Sequence, residues 1–86
     1  MSVRAELEAF IVEEIALGRG MRSIAPDEDL LARGVIDSLG VTQLVTFLEE
    51  RFSIRVTDEE LTPANFQSLA RLEAFVARKR EAARVW

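Results

Sequence analysis

The chain has 86 residues, 49% of them hydrophobic and 30% charged, with a formal net charge of -4 and a sequence pI near 4.8. That length suggests one small domain with a thin core, and the acidic balance argues against nucleic-acid binding, which needs a basic face. With no cysteine, histidine or tyrosine and a single lysine, Lys79, the chain lacks disulfides, thiolate metal sites and the commonest general base, which makes an enzyme an unfavoured reading.

In chain order, Val3, Leu7, Phe10, Ile11 and Ile15 recur near helical spacing. Ser2 is a plausible N-cap and Gly18 and Gly20 a plausible stop, so a first helix is expected over residues 3–17. Met1 to Glu6 lack the basic-then-apolar pattern of a secretory signal and no apolar run is long enough to span a bilayer, so a cytoplasmic location is expected. Residues 18–37 read as a long connection punctuated by Gly18, Gly20, Pro26 and Gly34, with Ile24, Leu30, Leu31, Val35 and Ile36 able to pin it to the core. Within it, Asp27-Glu28-Asp29 could open a short turn; three adjacent carboxylates are not spaced like a calcium loop, and an exposed acidic turn is the simpler account.

A second helix is expected over 38–52. Val41, Leu44, Val45, Leu48 and Phe52 share one face and form the core stripe, while Leu39, Gln43, Thr46 and Glu50 form the opposite, solvent-facing stripe. Thr57-Asp58-Glu59-Glu60 fits a capping box for a short helix over 58–63, which Pro63 ends or restarts. Ile54 and Val56 alternate as a strand would but are too few for a sheet. A last helix is expected over 68–83, capped by Ser68, with Leu69, Leu72, Phe75 and Val76 inward and Trp86 at a frayed end. Arg78, Lys79, Arg80 and Arg84 suit the negative end of its dipole. The expected architecture is all-α, a small antiparallel bundle of three long helices and one short one.

The most informative stretch is Ile36-Asp37-Ser38-Leu39-Gly40, which sets a serine hydroxyl in the first turn of the most regular amphipathic helix. Exposed N–H groups and the positive end of the dipole would hold a phosphate there. Capping alone is the bland alternative, because Ser and Asp are both favoured at helix starts. Gly34 and Gly40 bracket the stretch with small residues that would permit close approach by another surface. A hydrolytic serine fails for want of a histidine and of a Gly-x-Ser-x-Gly elbow.

Gly34-Val35-Ile36-Asp37-Ser38-Leu39 resembles the attachment motif of the phosphopantetheine-dependent carrier proteins, the acyl, aminoacyl and peptidyl carriers. The resemblance continues through Leu44-Val45, Leu48-Glu49-Glu50-Arg51-Phe52, Val56, Asp58-Glu59-Glu60 and Asn65-Phe66-Gln67-Ser68-Leu69, nearly the whole chain. It implies an acyl-carrier-protein-like fold and a carrier rather than an enzyme. A phosphopantetheinyl transferase would move 4'-phosphopantetheine from coenzyme A onto Ser38, making a phosphoprotein whose arm ends in a thiol and holds cargo as a thioester. By the same resemblance Asp37 serves transferase recognition and caps the helix. Other implied partners are an acyl- or aminoacyl-adenylating ligase and downstream acyl-transferring or synthase enzymes. The expected docking patch is Leu39, Gln43, Thr46 and Glu50, with Glu49 at its edge and Val35 and Ile36 contributing from the loop.

Fatty-acid-synthesis carriers typically have acidic residues soon after the serine, where this chain has Gly40, Val41, Thr42 and Gln43. Phe47 flanks the core stripe and would fill room that a long acyl chain needs. Both departures, with the Asn-Phe-Gln-Ser segment, lean toward a stand-alone monomeric carrier in a specialised pathway handling an amino acid, a short acyl group, or a polyketide or nonribosomal peptide intermediate. The primary carrier of fatty-acid biosynthesis is the alternative, and an unmodified helical interaction module the alternative of another class.

Overall fold

The computed structural model describes residues 2–15 and 23–84. The expected end of the first helix at residue 17, its glycine stop at Gly18 and Gly20, and Trp86 lie outside the described residues. Among those described, every regular element is helical.

Helix α1 runs Val3–Phe10 and continues as a wider π-helical turn, Ile11–Ile15. Ser2 caps it: its Oγ accepts from the Ala5 N–H at 3.1 Å. Leu7 and Ile11 are fully buried, and Val3, Phe10, Val12 and Ile15 pack at the core margin. The described part of the connection that follows, residues 23–37, is tied down at three points. Ile24 N–H donates to Glu8 Oε2 at 2.7 Å, Ala70 N–H to the Pro26 carbonyl at 2.9 Å and Leu30 N–H to the Gln67 carbonyl at 2.7 Å. Asp29 is the keystone of the acidic turn. Its Oδ1 accepts from Ala32 N–H and its Oδ2 from Gln67 Nε2, both at 2.8 Å. These bonds hold its carboxyl below the usual carboxylate range, the Ala32 N–H contributing most. Ile24, Leu30, Val35 and Ile36 thereby reach the core, and Leu31 packs against it. No helix forms here; the chain makes turns that end at Gly34, whose φ of 72° is a left-handed conformation that favours glycine.

Helix α2 spans Ser38–Phe52. Leu44, Leu48 and Phe52 are buried, while Val41 and Val45 sit half-buried at the stripe's edge. The helix ends at Ser53, whose φ of 56° and ψ of 46° are left-handed. A side chain in that conformation costs about 1 kcal/mol or more, and glycine is the usual occupant. Ser53→Gly is therefore expected to stabilise the fold by about 0.5 kcal/mol, after the extra entropy glycine adds to the unfolded chain. Urea unfolding of both proteins checks this.

The short helix expected over residues 58–63 is two pieces instead: a 3-10 turn at Asp58–Glu60 and helix α3 at Pro63–Phe66. Proline has no N–H to continue the first piece but suits the first position of the second. Glu60 anchors the turn, its Oε1 accepting from Thr57 N–H at 2.9 Å while both carboxylate oxygens lie 3.0 Å from Lys79 Nζ. The Thr57 bond, followed by Lys79, holds the Glu60 carboxyl below its ordinary range against an opposing desolvation. A depressed pKa in the folded state means a contribution present in full above about pH 4.3 and lost as pH falls through the folded value. Glu60→Gln should thus reduce stability at pH 7 and flatten its decline toward pH 3, as read by urea midpoints at the two pH values.

Helix α4, Leu69–Arg84, packs chiefly on α1 and α3 and also meets α2. Its inward residues Leu69, Leu72, Phe75 and Val76 are all buried. The basic residues near its end are packing groups as well as dipole partners. Arg78 donates to Asn65 Oδ1 at 2.7 Å, Lys79 pairs with Glu60, and the Arg80 guanidinium lies over the Phe52 ring, 5.7 Å from its centroid.

Candidate functional site

Asp37 and Ser38 divide the helix start between them. Asp37 is the N-cap: its backbone is extended, its Oδ1 accepts from Gly40 N–H at 2.8 Å and its carbonyl from Val41 N–H at 2.8 Å. Ser38 is then the first helical residue, and the cap is already supplied without it. Its side chain is exposed, and its hydroxyl has no hydrogen-bond partner among the described residues. Of the first-turn N–H groups that no intrahelical carbonyl serves, that of Gly40 is taken by Asp37 Oδ1, which leaves those of Ser38 and Leu39. Ser68, the other serine at a helix start, behaves in the opposite way. It is 5% exposed, and its Oγ accepts from Arg71 N–H at 3.2 Å. Two serines in similar local sequence therefore separate cleanly into a buried cap and a free, outward hydroxyl.

The surface around Ser38 differs in part from the expectation. Leu39 is 68% exposed, and Gln43, Thr46 and Glu50 are exposed on the same side of α2. Glu49 is half-buried, with its Oε2 accepting from Val56 N–H at 2.9 Å, so it tethers the segment after α2. Val35 and Ile36 need correction as contact residues: at 6% and 2% exposure their side chains are in the core. The bonds from Pro26, Asp29 and Leu30 fix the loop path that turns them inward. Gly40 also changes meaning. It is buried, and a Cβ there would stand 3.1 Å from Ile15 Cγ2 and 3.3 Å from Ile36 Cγ2. The close approach it permits is by the chain's own α1 and loop, which lets the start of α2 settle onto the core.

Sequence reasoning missed the contribution of α1 to this face. Phe10 stacks on Phe47 with ring centroids 4.2 Å apart, and Phe47 meets Phe52 edge-on at 5.9 Å. Glu14 lies beside that pair on a groove shared with Thr42, Thr46 and Glu50. No signal in either segment alone reports that they meet. Among the described residues no group of three or more carboxylates or other ligand side chains is placed to hold a metal ion, and no helix is long and apolar enough to cross a membrane.

Residues 12–76 match the family model described as the phosphopantetheine attachment site. The chain belongs to that family. It is a carrier protein: its function is to hold intermediates on a 4'-phosphopantetheine arm and present them to enzymes, rather than to catalyse a reaction itself. The relatives agree. The chain is 40% identical over 62 residues to a D-alanyl carrier protein of Streptococcus sanguinis, a match covering 70% of this chain and 72% of that one. It is 53% identical over 34 residues to D-alanyl carrier proteins of Streptococcus gordonii and Streptococcus suis, covering 40% of this chain and 43% of theirs. The geometry at the start of α2 fits the prosthetic group, offering an exposed hydroxyl unbonded among the described residues and two unserved N–H groups for a phosphate. Membership also implies a transferase that installs the group and enzymes that load and unload it.

Proposed function

We propose that Ser38 is the attachment residue and that the cargo of this carrier is a small amino acid, with D-alanine first among the candidates. The observation that carries the assignment is the free hydroxyl of Ser38 beside a cap that Asp37 completes alone. The bound group supplies a terminal thiol, and hence the thioester, to a chain that has no cysteine of its own. Attachment would form a bond from Ser38 Oγ to the pantetheine-side phosphorus of coenzyme A, break the pyrophosphate P–O bond so that adenosine 3',5'-bisphosphate leaves, and release the hydroxyl proton. With no histidine in the chain, the base that accepts the proton belongs to the transferase. The N–H groups of Ser38 and Leu39 would then face the phosphodiester. Asp37 is the recognition residue for the transferase by the same reading, its side chain exposed at the turn into α2.

The docking patch proposed is Leu39, Gln43, Thr46 and Glu50, with Glu49 in a supporting part and without Val35 and Ile36. A small exposed leucine-centred patch with one or two charges suits partners that must bind selectively and leave quickly. A small cargo is favoured over a fatty acid by the likeness to D-alanyl carriers and by the Phe10–Phe47–Phe52 cluster, which occupies the space between α1 and α2. We place the working protein in the cytoplasm, as a monomer, between an aminoacyl-adenylating ligase and an enzyme that accepts the aminoacyl group.

Intact mass spectrometry tests both parts. Incubation with coenzyme A and a broad-specificity phosphopantetheinyl transferase should add one phosphopantetheine. A D-alanine-activating ligase should then add one alanyl group, while ligases for long-chain acids should add none. An unmodified chain beside an active control would reject the attachment, and efficient loading with long acyl groups alone would reject the cargo class.

A further inference from the structure

We infer that the groove between α1 and α2 is a resting site for the cationic ammonium of an aminoacyl cargo, held between Glu14 and Glu50 against the Phe10–Phe47 ring pair. The inference rests on the attachment at Ser38 and deepens the cargo assignment. The groove has a volume of about 340 Å³. Its lining includes the stacked Phe10 and Phe47 rings, an apolar wall beside which exposed charge is screened less than in open water. Glu14 comes from the π-helical turn after α1 and Glu50 from α2, so two separate elements bring negative charge to one cleft. Both carboxylates are exposed, and neither has an ion-pair or hydrogen-bond partner among the described residues.

Of the other polar groups in the lining, Gln43 is uncharged and the two threonines are engaged by the helix. Thr42 Oγ1 donates to the Ser38 carbonyl and Thr46 Oγ1 to the Thr42 carbonyl, each at 3.2 Å, so both hydroxyl protons are spent on the helix. Arg51, the cation in this stretch of α2, is engaged by Glu6 at 2.6 Å and lies over the Phe52 ring. Among the described residues the groove's lining thus offers negative charge and aromatic surface with no cation, which selects for a positively charged visitor and against a carboxylate.

Reach is the third consideration. Thr42 and Glu50 follow Ser38 by four and twelve residues, about 6 and 18 Å along the helix axis. A flexible arm rooted at Ser38 can lie along α2 and place its end over the groove. Because the cargo is tethered, even a weak site is visited often, the local concentration being set by the arm and not by solution. Between encounters such a site would hold the ammonium end and still release it to an enzyme, since exposed charge pairs are weak and exchange rapidly.

The test loads the protein through the transferase with amide-linked, non-hydrolysable coenzyme A analogues bearing D-alanyl or the neutral propionyl group. Mass spectrometry confirms one group per chain, and backbone amide shifts are read by two-dimensional NMR against the unloaded holo form. D-alanyl loading should shift the amides of Phe10, Glu14, Thr46 and Glu50, and propionyl loading should leave them in place. The shifts should largely vanish in Glu14→Gln/Glu50→Gln and at about 1 M salt, where charges are screened beyond about 3 Å. Equal shifts with both cargoes, or none with either on a chain whose mass proves loading, would overturn the groove and leave the attachment standing. A chain that gains no mass would overturn the attachment, and the groove reading with it.

Discussion

Ser38→Ala is expected to take up no phosphopantetheine under conditions that convert the parent chain completely, and to fold as stably as the parent. Loss of modification should be total because the other serines at helix starts among the described residues, Ser2 and Ser68, use their Oγ atoms as caps, and Ser23 and Ser53 stand at no helix start. Ser68 is buried and bonded, the chain has no cysteine, and the hydroxyls of Thr42 and Thr46 donate to helix carbonyls. The fold should be untouched because the Ser38 side chain has no hydrogen-bond partner among the described residues and is exposed, while the helix start is capped by Asp37. Exposed substitutions of this kind stay within about 0.5 kcal/mol. The two readouts together separate a prosthetic site from a structural one. A chain that keeps its modification after Ser38→Ala would move the attachment elsewhere, and one that loses stability by more than about 1 kcal/mol would make the residue a cap after all.

Phe75→Ala should be the most damaging single change to the fold. Phe75 is buried to 2% exposure on α4, and its ring meets Phe66 of α3 at 5.7 Å between centroids. Truncating a buried phenylalanine costs about 3–5 kcal/mol, the lost transfer energy plus the cavity left behind. A domain this size is stable by about 5–10 kcal/mol, so the variant keeps only a fraction of its margin. The effect extends to the site through the connection. Phe66 leads into Gln67, whose carbonyl and side chain hold Leu30 and Asp29, and those fix the approach to Asp37. A fall in thermal midpoint of more than about 10 °C, with slower modification of Ser38 at 37 °C, is the expected result. Leu39→Ala is the matched contrast. It removes a large apolar side chain that is already mostly in water, and its unfolding midpoint should not move.

The contrast between Phe75 and Leu39 shows what was readable without coordinates. Helical periodicity assigned Leu69, Leu72, Phe75 and Val76 to the inside and Leu39 to the outside, because both follow from rotation by 100° per residue on a single helix. The cap at Asp37 was also readable, since it closes within four residues. The short helix near residue 60 was harder. Thr57 and Glu60 form a turn as their spacing suggests, and Pro63 restarts the segment as a second piece, the one of its two expected effects that spacing alone did not choose.

The primary chain by itself determined that a serine would stand at the first turn of an amphipathic helix behind an aspartate cap, because every bond in that arrangement is local. It offered Val35 and Ile36 both as anchors of the loop to the core and as contacts for partners, and did not decide between the two. Val35 and Ile36 go inward, and Gly40 is filled by Ile15 and Ile36, because hydrogen bonds from residues 67 and 70 anchor a connection beginning over 40 positions earlier in the chain. The pairing of Phe10 with Phe47, and with it the cleft that Glu14 and Glu50 share, exists only once α1 is packed on α2. Local hydrogen bonding decides a cap; which side chains face each other across a groove is decided by how the whole core closes.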